Sequence, residues 1–116
     1  MHKNLLDQNF LNNCLQETIK KNDEEEIISE MKYWISVGAD PEFENNYILR
    51  KSAKRNKRKI INYLIEECKI QVTFNTKDWL RKNCDRNIII YIEEKSLQSL
   101  LNLNQQEIKI VKKNKI

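Results

Sequence analysis

Seven cations crowd into residues 50–59, RKSAKRNKRK: Arg50, Lys51, Lys54, Arg55, Lys57, Arg58 and Lys59. Ammonium and guanidinium groups at that density can hold either phosphates or a carboxylate-rich protein surface. A second Arg-Lys pair follows at Arg81 and Lys82. Tyr47 and Trp79 stand beside the two pairs, as aromatic anchors for a partner would. Other chemistries lack their parts. His2 is the only imidazole, at the first residues of the sequence, so no nucleophile–histidine pair is indicated. One glycine cannot build a phosphate-cradling loop. Cys14, Cys68 and Cys84 have no C-x-x-C or zinc spacing. The acids at 23–26 would point around a helix start rather than to one spot, so they suit the positive end of a helix better than a metal. The expectation is a non-enzymatic protein with no cofactor and no metal.

Composition narrows the class further. The 116 residues leave room for one domain, and 40% hydrophobic with 33% charged residues is enough to fold under a very polar surface. A net charge of +4 is only mildly basic, and acids at 23–26, 42 and 44 interrupt the cationic field. One glycine and one proline argue against an all-β protein with many tight turns. The bias towards Lys, Asn and Ile also fits an AT-rich genome, so not every lysine need be selected chemistry. An odd cysteine count, no secretory-type leader and no long apolar run indicate an intracellular, cytoplasmic protein that does not enter a membrane.

The elements that must carry these residues are helices. Asp40-Pro41 marks a turn, and Asn45 or Asn46 offers an N-cap oxygen. Leu49, Ser52 and Ala53 then recur at helical spacing, and Asn56 ends that helix. Ile60, Ile61, Leu64, Ile65 and Cys68 give a second helix with a broad apolar face. Burying its aliphatics does not offset the entropy of ordering some 20 residues (about 1–2 kcal/mol each), so the pair needs neighbours. Upstream, Asp7 caps a helix carrying Phe10, Leu11, Cys14, Leu15, Thr18 and Ile19. Asp23 with Glu26 forms a capping-box variant before Ile27, Ile28, Met31, Trp34 and Ile35, and Gly38 supplies the residue after that helix. Downstream, residues 71–74 read as a short β-like stretch or a packed loop, Asn75 or Thr76 as a cap, and Trp79, Leu80 and Cys84 as an inner face. Residues 88–92 have strand propensity, yet Ile88, Ile89, Tyr91 and Ile92 align with Ile60, Ile61, Tyr63 and Leu64, which favours helix. Ser96 is expected to cap a last helix with Leu97, Leu100 and Leu101 inward. Residues 105–116 read as a basic tail, either without fixed structure or with Ile108, Ile110 and Val111 in a strand or a sticky segment.

These units resemble one another. Asn22 and Asn56 lie 34 residues apart, and Leu49-Arg50-Lys51 recurs as Leu80-Arg81-Lys82 after 31. Gly38-Ala39-Asp40, Asn46-Tyr47-x-Leu49-Arg50, Ala53, Asn56 and Ile60-Ile61-x-Tyr63-Leu64-Ile65 resemble an ankyrin repeat. Where that family carries Thr-Pro-Leu-His and Gly-His, this chain has Tyr47-Ile48-Leu49-Arg50 and Asn56-Lys57. The resemblance implies an all-α fold, a short ankyrin-like solenoid of antiparallel helix pairs with units 8–37, 38–69 and 70–95 and a capping helix 96–104. It also assigns Tyr47, Arg50, Lys51, Lys54, Arg55, Arg81 and Lys82 to a concave partner-binding face. An acidic protein surface is the expected partner, with a viral or phage inhibitor of a host factor as one setting. Nucleic acid held through the phosphate-binding run at 50–59 is the alternative.

Overall fold

Asp7 opens the first helix by accepting a hydrogen bond from the Phe10 amide at 2.8 Å. The computed structural model describes residues 7–115, and side chains for residues 7–101. Six helices follow in order: α1 (Gln8–Thr18), α2 (Glu24–Ser36), α3 (Phe43–Lys54), α4 (Arg58–Asn62), α5 (Phe74–Asn83) and α6 (Arg86–Lys115). A π-helical turn, Tyr63–Glu67, continues α4. The described residues are all-α, with no strand among them. Residues 88–92, the β-branched run, lie inside α6, with Ile88 and Ile92 buried. Packing has overridden local propensity there.

Backbone reversals set where the helices stop. After α2, Gly38 (φ +119) donates to the Ile35 carbonyl at 3.0 Å, and Ala39 donates to Trp34 at 2.9 Å. After α3, Asn56 (φ 58) repeats the pattern, bonding Ala53, while Lys57 bonds Ser52. Both are Schellman-type ends, which satisfy carbonyls the helix leaves orphaned. After the π turn the reversal falls on Lys69 (φ 57), and Ile70 donates to Leu64 at 3.2 Å, one residue wider.

Several local expectations need correction. Neither Asn45 nor Asn46 is an N-cap: Glu44, Asn45 and Asn46 all adopt left-handed backbone, with φ 49, 52 and 61. Asparagine tolerates that region as well as it caps, so its presence alone does not choose. Asp23 does cap α2, through the Glu25 amide at 3.1 Å, but Glu26 does not close the box and pairs with Lys21 instead. Thr73, not Asn75 or Thr76, caps α5, accepting from the Thr76 amide at 3.1 Å. Ser96 caps nothing, because α6 runs unbroken through it; no glycine or proline interrupts the chain after residue 85. Leu97, Leu100 and Leu101 accordingly face out rather than inward. α6 continues through residues 105–115 of the basic tail.

One buried cluster joins all the helices. It includes Leu15 of α1, Met31 of α2, Leu49 of α3, Ile61 of α4, Leu80 of α5 and Ile92 of α6, with Trp34 packed against it. The helices meet in two rows. In one row α3 lies between α1 and α5; in the other α4 and its π turn lie between α2, which meets α4, and α6, which meets the turn. Short connections fold each pair of consecutive helices, α1/α2, α3/α4 and α5/α6, one from each row, into a hairpin. Polar contacts obey the same order. Among the described residues, every side-chain hydrogen bond spanning more than six residues spans between 27 and 36, so each hairpin ties to the next. Asn12 accepts from the Asp40 amide, and one unit later Glu42 accepts from the Gln71 amide, both at 2.9 Å.

Candidate partner-binding face

Tyr47, Arg50 and Lys51 come together on α3, and Trp79 joins them from α5. Arg50 carries its guanidinium 5.6 Å from the Tyr47 ring centroid and 5.4 Å from that of Trp79. Lys51 places its ammonium 5.6 Å from Tyr47, and Phe43 meets the same ring at 5.8 Å. Gln16 of α1 donates to the Tyr47 hydroxyl at 3.3 Å. The four residues are half-buried, so cations and aromatic rings share one partly wet surface on the α1–α3–α5 row. Cation–π attraction holds such a group in place and leaves its outer edges free for a partner.

Arg50 also has a task within the fold. Its Nε donates to the Asn45 carbonyl at 3.0 Å and its Nη2 to the Glu44 carbonyl at 2.8 Å. These are carbonyls of the left-handed turn. The turn is held from the other side as well. The Asn46 side chain is fully buried, and its Oδ1 accepts from the Thr73 amide at 3.2 Å. The Thr76 hydroxyl stands 2.8 Å from both Asn46 Oδ1 and the Asn45 carbonyl. The Thr73 N–H requires an oxygen at that corner, which fixes the amide orientation and leaves Asn46 Nδ2 without a partner. A guanidinium has five N–H donors, so Arg50 keeps three for other acceptors after closing the turn.

Most other cations of the 50–59 run reach neighbouring hairpins. Lys54 donates to the Asn83 carbonyl at 3.0 Å, on the side of the third hairpin. Arg55 donates to the Ile19 carbonyl at 2.7 Å and Lys57 to the Asn22 carbonyl at 3.4 Å, both in the first hairpin. Lys59 pairs with Glu25 at 3.1 Å, while its amide donates to Glu24. Arg58 lies 4.7 Å from the Tyr91 ring centroid. Arg81 and Lys82 do not join the Arg50 cluster: Lys82 pairs with Asp78 one turn back at 3.1 Å, and Arg81 lines a groove between α5 and α6. Sequence reasoning missed Gln16 and Phe43 as members of the cluster and Lys77 as a neighbour of Arg81. An i, i+4 spacing to Tyr47 and to Arg81 was the available signal for Phe43 and Lys77. None existed for Gln16, which comes from another hairpin.

Two of the thiols sit in surroundings that disfavour the thiolate. Burial pushes the Cys68 thiol up, with the Tyr63 hydroxyl acting weakly the other way. Burial raises Cys84 too, against the pull of the Lys54 cation. Both therefore favour the protonated, unreactive form. Among the described residues no group of three His, Cys, Asp or Glu side chains could hold a metal ion, and no helix is long and apolar enough to cross a membrane. No protein-family model, curated protein or solved structure matches the chain.

Proposed function

We propose that this chain is a non-enzymatic binding module, an ankyrin-like stack of three helix hairpins that grips an acidic protein surface. The observation that carries the reading is the Tyr47–Arg50–Lys51–Trp79 cluster. It brings two cations and two aromatic rings together on the row of first helices, where hairpin stacks present their partners with a face. Anchors of this kind, aromatic and arginine side chains with few rotamers left to lose, account for most of the energy in protein interfaces. The stacking itself is supported by the two helix rows, by Schellman ends at Gly38 and Asn56, and by hydrogen bonds that span about one repeat.

The phosphate-binding alternative has less support. Lys54, Arg55, Lys57 and Lys59 already have intramolecular acceptors, and a phosphate track would need those contacts released. The discriminating experiment is affinity capture from the native cell, comparing the unaltered chain with Lys51→Glu/Lys82→Glu. Lys51 belongs to the cluster, Lys82 lies on the next helix of the same row, and both side chains lie outside the buried core, so the variant is expected to keep its fold. The expected result is loss of an acidic protein partner from the variant. An unchanged set of captured proteins, or capture that nuclease abolishes, rejects the reading.

A further inference from the structure

A groove of about 500 Å³ lies between α5, the connection at residues 69–72 and α6. Its floor is apolar: Ile70, Leu80 and Ile92 are buried beneath it. Its outer wall is Leu97 and Leu100, each 56% exposed. Within the stack, the corresponding side of the α3/α4 hairpin is covered by α5 and α6. On the α5/α6 hairpin that side is open among the described residues. The fold thus shows what such a surface accepts, which is another helix laid alongside. The α6 wall from Ile89 to Leu100 is about 16 Å long at about 1.5 Å per residue, three turns of a partner helix.

Charge selects among helices. Lys69, Lys77 and Arg81 are exposed on the rim, and none of them takes part in an ion pair among the described residues. Among the described residues, Glu93 is the one carboxylate lining the groove. A second copy is a poor occupant. Its own α5/α6 side would set Lys69, Lys77 and Arg81 against a like set, and the end of α6, residues 102–115, carries four lysines and one glutamate. That would bring net positive charge to a cationic rim. We propose that this groove is a second docking site, for an amphipathic helix of another protein with a stripe of aliphatic side chains flanked by carboxylates. It uses neither Tyr47, Arg50, Lys51 nor Trp79, so it stands or falls apart from the face described above.

The test uses the full chain and synthetic helices of four turns. One carries leucines at alternating three- and four-residue spacing with glutamates on the flanks; the second replaces those glutamates with lysines; the third scrambles the leucines. Amide shifts are followed by NMR, and affinity by fluorescence anisotropy of labelled peptide. The glutamate helix is expected to bind and to shift Val72, Lys77, Arg81, Leu97 and Leu100. Lys77→Glu/Arg81→Glu should weaken it about tenfold or more and favour the lysine helix. Leu97→Asp/Leu100→Asp should abolish binding; all four side chains are exposed, so circular dichroism should stay unchanged. Equal binding of the lysine or scrambled helix, shifts confined to the Tyr47–Trp79 face, or no binding would overturn the proposal. So would a dimer in sedimentation that Leu97→Asp/Leu100→Asp dissolves, since the groove would then belong to a second copy.

Discussion

Replacing Arg50 with alanine should cost far more stability than a half-exposed surface residue normally does. Three consecutive non-glycine residues in the left-handed region are unfavourable by roughly 1–2 kcal/mol each, somewhat less for asparagine. The side chain of Arg50 offsets part of that by closing on the carbonyls of Glu44 and Asn45. Two net hydrogen bonds at about 1 kcal/mol each and two cation–π contacts at about 0.5 kcal/mol each sum to about 3 kcal/mol. At about 4 °C per kcal/mol for a chain of this size, the melting temperature should fall by about 12 °C. Arg50→Lys keeps the charge but loses the fork, and should recover less than half of the loss. Urea unfolding followed by tryptophan fluorescence and far-UV circular dichroism measures both variants. An Arg50→Ala protein within about 0.5 kcal/mol of the unaltered chain, which is the ordinary range for a surface change, would refute the reasoning.

Three further outcomes are expected. Gly38→Ala should destabilise by about 1–3 kcal/mol in the same urea assay, because φ is +119 and the added methyl would sit 3.2 Å from Leu11 Cδ1. Arg55→Gln/Lys57→Gln should lower stability and quicken amide exchange at residues 19–22, since both cations hold carbonyls of the first hairpin; unchanged exchange there would remove them as ties. Stability should decline on the alkaline side, which a melting series from pH 7 to pH 11 would follow. Burial holds the Cys68 and Cys84 thiols above their ordinary value of 9.0 and Tyr63 above 10.0. The unfolded chain therefore loses those protons first, and folding weakens as pH rises past about 9. Lys21, Lys59 and Lys95 have values raised above 10.5, chiefly by hydrogen bonds to Glu30, Glu25 and Glu66 respectively, and their contribution disappears as pH climbs through those raised values. A melting temperature flat to pH 11 would contradict the assignment.

The helix hairpins were legible because their signals are local and repeated. Ile60, Ile61, Leu64 and Ile65 have only one face to bury, and Gly38 and Asn56 supply the backbone that ends a helix. Internal similarity also resolved residues 88–92, where propensity alone pointed to a strand. What stayed hidden depends on partners about 30 residues away. The run at 50–59 shows its charge in the sequence, but not that Arg55 reaches Ile19 or that Lys54 reaches Asn83. Asn46 carries the same local signal whether it caps a helix or reverses the backbone, and only Thr73 and Thr76 decide between them. Leu97 and Leu100 have a helical spacing that says nothing of which side is covered. The π turn at Tyr63–Glu67 has no sequence marker; it lets Ile70 reach the buried cluster after Lys69 reverses the chain.

The division of labour within the cationic run is open to one direct comparison. Captured proteins are quantified by mass spectrometry with three baits: the unaltered chain, Lys51→Glu/Lys82→Glu, and Arg55→Gln/Lys57→Gln. The first variant should fold normally and lose the partner, while the second should be less stable yet retain it at temperatures where it is folded. If the folded Arg55→Gln/Lys57→Gln protein loses the partner and Lys51→Glu/Lys82→Glu keeps it, the cations assigned here to joining hairpins are the contact surface instead.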